Sequence, residues 1–101
     1  MSVLQSLIGQ TVASLERGND SLHLGFDEGA ALHVFNRYEI SGGALENLVG
    51  ATVQSVSERA EAVVFAFSLG VTLSVGLADA DYSGPECMQL VQPGEPIVVW
   101  N

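Results

Sequence analysis

A chain of 101 residues that is 48% hydrophobic and 15% charged has the length of one domain and the composition of a folded one, which excludes a disordered chain. Twelve acidic residues stand against three arginines and no lysine, a formal net charge of −9, so the surface repels nucleic acid and anionic membranes and favours basic partners. The single cysteine, Cys87, excludes an internal disulfide and a Cys-based metal cage.

No window has the length and continuity of a spanning helix, and Met1 to Gly9 lacks the basic region and cleavage pattern of a signal peptide, so a soluble, cytoplasmic protein is expected. The same acidity has a plainer use, which is to keep a rather apolar chain in solution.

The first predicted element is a short helical turn, Ser2 to Leu7, with Ser2 as N-cap, Val3, Leu4 and Leu7 on one side and Gly9 as terminator. A strand follows over Thr11 to Glu16. Its two strongest core candidates, Val12 and Leu15, are three apart, so strict alternation fails and a β-bulge or strong twist is needed to place both inside. Leu22, Leu24 and Phe26 then alternate with His23 and Gly25. After Asp27-Glu28-Gly29, Leu32 and Val34 alternate with Ala31, His33 and Phe35.

Same-face pairing across that hairpin, closed by a three-residue loop with glycine left-handed, sets Leu24 against Leu32, Leu22 against Val34, and His23 against His33. The segment from Asn36 to Gly43 reads as a connector ending in a flexible Gly-Gly step.

The chain then repeats itself. At an offset of 41, residues 3–36 and 44–77 share ten identities in thirty-four positions, among them Leu7/Leu48, Gly9/Gly50, Thr11/Thr52, Val12/Val53, Gly29/Gly70, Leu32/Leu73 and Val34/Val75. This internal duplication predicts a second turn from Ala44 to Leu48, a strand from Thr52 to Ser57, and a hairpin setting Phe65 against Leu73 about Ser68-Leu69-Gly70. The histidines of the first hairpin become Val64 and Ser74. The second hairpin is therefore small or apolar on both faces, as expected in the middle of a sheet or against another layer or subunit.

Asp79 to Glu86 is turn-rich and acidic. Cys87 to Val91 and Ile97 to Trp100 read as two strands, the last one buried and Trp100 a core plug. The expectation is an all-β single domain over 1–101 with two short helical turns: duplicated β-β-β units at about 3–40 and 44–77, plus a C-terminal β-hairpin at about 86–101, forming a small barrel or sandwich.

Four features carry candidate chemistry. His23 and His33 face each other with Cβ atoms ~5 Å apart, close enough to share Zn²⁺ or Cu²⁺, but a site needs a third or fourth ligand. Asp20, Asp27 and Glu28 are near in sequence, the last two committed to the turn, and a solvated cross-strand pair beside Phe35 is the simpler reading. Asp79-x-Asp81-x-Ser83-Gly84 resembles the opening half of a calcium loop, but Leu90 stands where a bidentate glutamate belongs and Pro85 follows the glycine, so an Asx-type turn is favoured.

Asp79, Asp81 and Glu86, with Tyr82 among them and no cation in the segment, form a carboxylate cluster with an aromatic anchor, suited to docking an Arg/Lys-rich protein surface that Asp27 and Glu28 would extend. Cys87 beside Met88 reads as a buried structural thiol. No nucleophile-base ordering or phosphate-cradling loop is present, so no enzyme activity and no cofactor are expected.

Ser83-Gly84-Pro85-Glu86 and the ending Ile97-Val98-Val99-Trp100, after two Leu-x-Gly-x-x-Val units, give the chain a resemblance to small acidic bacterial proteins, some of them immunity proteins of interbacterial toxin systems. The resemblance implies a non-enzymatic antagonist that covers a basic toxin or enzyme surface. It carries no residue roles, since immunity proteins share no functional motif. Two other readings stand beside it: a small barrel binding a metal or ligand through His23 and His33, and a homodimeric structural module joined near Val64 and Ala66.

Overall fold

The computed structural model describes residues 3–18, 21–82, 84 and 86–100. The Ser2 cap, the Asp20 ligand candidate, and Ser83 and Pro85 of the acidic loop lie outside the described residues. Among the described residues nine strands form two antiparallel sheets, and none of the described helices is long and apolar enough to cross a membrane. The strands are β1 (Val12–Arg17), β2 (Leu22–Phe26), β3 (Ala31–Val34), β4 (Tyr38–Ser41), β5 (Val53–Glu58), β6 (Ala62–Phe67), β7 (Thr72–Gly76), β8 (Met88–Val91) and β9 (Val98–Trp100). One sheet has the order β1-β2-β3-β8-β9, the other β4-β7-β6-β5. This is the expected all-β fold, as a two-sheet sandwich.

The local geometry follows from the sequence pattern. Val12 pairs with Phe26 but Ser14 with Gly25, so Ala13 is the extra residue of a bulge; Gln54 is its counterpart in β5. The bulge lets Val12 and Leu15 both turn towards the core, Val12 buried and Leu15 partly so. In the hairpins Leu24 faces Leu32, His23 faces His33 and Phe65 faces Leu73, the expected registers. Both turns place glycine at positive φ, 93° at Gly29 and 78° at Gly70. In the second turn Leu69 shares that region at φ 69° and is 83% exposed. The turns Val3–Leu7 and Leu45–Leu48 are 3-10 and plug the core with Leu4, Leu7, Leu45 and Leu48. Each fully buried leucine or phenylalanine stabilises the fold by about 1.5–3 kcal/mol relative to exposure.

The two copies meet on a pseudo-two-fold axis. Thr11 and Thr52, residues matched by the repeat, form a bridge with their hydroxyls 3.0 Å apart. Bonds around them come in matched pairs. Gly9 N–H donates to Val53 O and Gly50 N–H to Val12 O, both at 2.8 Å; Val12 N–H donates to Ala51 O and Val53 N–H to Gln10 O, both at 2.9 Å. One seam between the sheets is stitched there.

Two expectations change. The connector contains a strand: Tyr38–Ser41 pairs with β7, Tyr38 against Val75 and Ile40 against Leu73. Its match in the other copy is β8, where Met88 faces Val34 and Leu90 faces Leu32. Each copy therefore sends its fourth strand into the sheet of the other. Three residues separate Val34 from Tyr38 but twelve separate Val75 from Met88, nine more, and the excess holds the acidic turn. The second change is β9, an edge strand in which Val99 is 39% exposed, with Ile97 just before it 56% exposed. Only β8 flanks it, so its apolar run is half covered, and Trp100 packs on the core while staying partly exposed.

Candidate functional site

The residues proposed for docking fall into two groups at opposite ends of β3. Asp27 and Glu28 occupy the tip before Ala31, whereas Asp81 is tied to the chain after Val34 through the Arg37 N–H, which donates to Asp81 O at 2.8 Å. A four-residue strand spans about 13 Å, so these carboxylates do not form one continuous patch.

Within each group some side chains are occupied by the fold. Asp27 Oδ1 accepts the Thr11 N–H at 3.3 Å, as Ser68 Oγ accepts that of Thr52 at 2.9 Å in the other copy. Asp81 ends a 3-10 turn, Asp79–Asp81, and its Oδ2 accepts the Ala78 N–H at 3.2 Å, much as Asn47 Oδ1 accepts the Ala44 N–H at 2.7 Å. A Cβ on Gly76 would run into that Asp81 carboxylate, which explains a glycine where the first copy has Phe35. Tyr82 packs against the core. Asp79 and Glu28 stay exposed and Glu86 half-buried. Glu28 also lines a shallow groove with Val3, Ser6, Gln92, Pro93 and Glu95.

The carboxylates are poorly neutralised. Among the described residues one ion pair forms, Arg17 Nη2 to Glu46 Oε1 at 3.9 Å between exposed side chains, a geometry worth little in water.

On the outer face of the five-stranded sheet the histidine rings stack, centroids 4.2 Å apart and planes 12° from parallel, with Phe35 edge-on to His33 at 6.4 Å. Glu16 faces His23 from β1 and Gln89 faces His33 from β8. No group of three or more His, Cys, Asp or Glu among the described residues is arranged to hold a metal ion. Partial burial, and then the neighbouring His23, hold the His33 pKa below its ordinary value. Cys87 is buried, and desolvation pushes its thiol up to about 11, so it is a thiol and not a thiolate at neutral pH.

Two places escaped the sequence reading. Asn36, at the crossing into β4, is 2% exposed; its Nδ2 donates to Gly76 O at 2.8 Å while its Oδ1 has no partner among the described residues. A lone asparagine in a turn-like segment gives no sign of this. The other is the outer edge of β4. Its signal, apolar Tyr38 and Ile40 two apart with Glu39 between, was present but short.

Fold and surface together define an acidic, duplicated β-sandwich with a split carboxylate surface and a bare sheet edge. No protein-family model matches the chain, and no curated protein or solved structure does.

Proposed function

We propose that the protein is a non-enzymatic protein-binding module whose partner is basic, in its most concrete form an immunity-type antagonist that covers a cationic toxin or enzyme surface. The observation that carries this reading is the unneutralised negative charge, −9 over 101 residues. Asp79 and Glu86 are its foremost contacts in the acidic loop and Glu28 on the hairpin tip; Asp27, Asp81 and Tyr82 support the loops that present them. A buried thiol with raised pKa and a stacked histidine pair with no third ligand among the described residues favour binding over catalysis.

The test begins with capture from source-cell lysate at low salt and identification of what a salt gradient releases. Association of that protein with the wild-type chain should slow by about tenfold or more between low and high salt. The Asp79→Lys/Glu86→Lys variant should slow it comparably at low salt. A rate indifferent to both salt and charge reversal sinks the proposal.

A further inference from the structure

The pseudo-symmetry exposes a place where something is missing. In the five-stranded sheet, β9 lies along the outer edge of β8, with Met88 opposite Trp100 and Leu90 opposite Val98. No described strand lies along the outer edge of the matched strand β4. Arg37 O accepts the Gly76 N–H from β7, so by antiparallel alternation Glu39 and Ser41 also bond inward and the main-chain groups of Tyr38 and Ile40 point outward. No described residue pairs with those groups. The matched groups of Met88 and Leu90 are directed to β9.

Burial gives an independent measure of the gap. Met88 and Leu90 are both 0% exposed under β9, while Tyr38 and Ile40, in the same positions of the other sheet, are half-buried. Of the other three sheet edges, β9 is only three residues long, and those of β5 and β1 are covered. The turn Val3–Leu7 packs on β5, where Gln5 Nε2 donates to Val56 O at 2.9 Å, and Leu45–Leu48 packs on β1, where Glu46 meets Arg17. The outer edge of β4 pairs with no described strand, the condition in which strands add.

We infer that the outer edge of β4 binds an extended segment of a basic partner, antiparallel to β4, in the position that β9 holds on β8. This rests on the proposed basic partner and names where that partner docks. The occupant places apolar side chains over Tyr38 and Ile40 and a lysine or arginine opposite Glu39. Charge selects this occupant over a second copy of the chain: two copies carry net charge −9 each, and β4 against β4 in the register centred on Glu39 sets the two carboxylates opposite each other. The acidic turn meets the chain just before β4 from the β7 side, where Asp81 O accepts the Arg37 N–H, so it adds negative charge near that end of β4 without lying along its outer edge.

Two capped synthetic peptides test this on the ¹⁵N-labelled full chain: one with the core Ile-Val-Lys-Trp flanked by lysines, and one with serine at every lysine position. The lysine peptide should slow hydrogen exchange at the Tyr38 and Ile40 amides at least several-fold, with affinity falling as salt rises. Ile40→Pro removes an outward N–H without touching the β7 ladder and should weaken binding about tenfold or more. Glu39→Lys should weaken it several-fold and serves if the proline variant does not fold. If the lysine peptide perturbs only Asp79 and Glu86 and leaves both amides exchanging freely, the edge site is overturned and the charge-based partner survives. If the serine peptide protects both amides equally and without salt dependence, the basic occupant is overturned and the edge survives. Binding by neither peptide overturns the edge site.

Discussion

Across the outer face of the five-stranded sheet one row of side chains reads Glu16, His23, His33, Gln89 and Val99; the matched row of the other sheet reads Ser57, Val64, Ser74 and Glu39, and ends there. The inner faces tell the opposite story. Leu32 and Leu73 are both 0% exposed, as are Val34 and Val75, and the hairpin registers match. Residues that fill the shared core are either identical or exchange one apolar residue for another, as at Leu24 and Phe65, because only apolar side chains suit a close-packed interior. Outer residues are free to diverge, so the differences between copies, more than their identities, indicate what each sheet does.

The sharpest way to break this equivalence is in the core. Leu32→Ala and Leu73→Ala should each destabilise by about 2–5 kcal/mol in urea unfolding, and by similar amounts, because both leave a cavity in matched surroundings. A gap between them well above ~1 kcal/mol would mean the two halves pack differently. The axis offers a smaller effect with a clearer signature. Thr11→Val or Thr52→Val alone strands the other hydroxyl and should cost about 1 kcal/mol, while the double variant should cost no more than either single one. Additive losses would show that the bridge carries no coupling.

The smallest effect separates the outer faces. His33 has a lowered pKa in the folded chain, so the unfolded chain binds more protons near pH 6.5, its ordinary value. Stability from neutral His33 is thus fully present above that value and is lost as pH falls through it towards the folded pKa. Replacing the pair with the residues of the other copy, His23→Val/His33→Ser, should flatten the stability profile between about pH 5 and 7. An unchanged slope would assign it to the carboxylates.

Much of this architecture was legible because strong local rules agreed with one another. Gly29 and Gly70 fixed the turns, the even spacing of Leu22, Leu24, Leu32 and Val34 fixed the register, and the three-residue step from Val12 to Leu15 announced the bulge. The strand β4 was hidden because Tyr38 and Ile40 give only two alternating apolar residues before Gly42-Gly43. Its partner in the repeat was hidden too, since nine additional residues before β8 shift Met88 out of the register that matches Val34 to Val75. The run Ile97 to Trp100 misled for a different reason: consecutive apolar residues signal burial only when both sides of a strand are occupied. For the candidate site, charge was legible from composition, but the division of Asp27 and Glu28 from Asp79 to Glu86 depends on where β3 ends.

The exchange of fourth strands has a consequence for how the chain reaches this state. Neither copy can finish its own sheet, since β8 completes the first and β4 the second, so a chain cut at Gly42-Gly43 yields two halves that each lack their outermost pairing and depend on the other to supply it. Two similar sequences in tandem invite two independently folding units; here the crossing welds them into one cooperative unit with many contacts between residues far apart in sequence. Such a topology folds slowly for its length and unfolds in a single step, and its duplicated halves protect one another from the partial opening that tandem repeats permit.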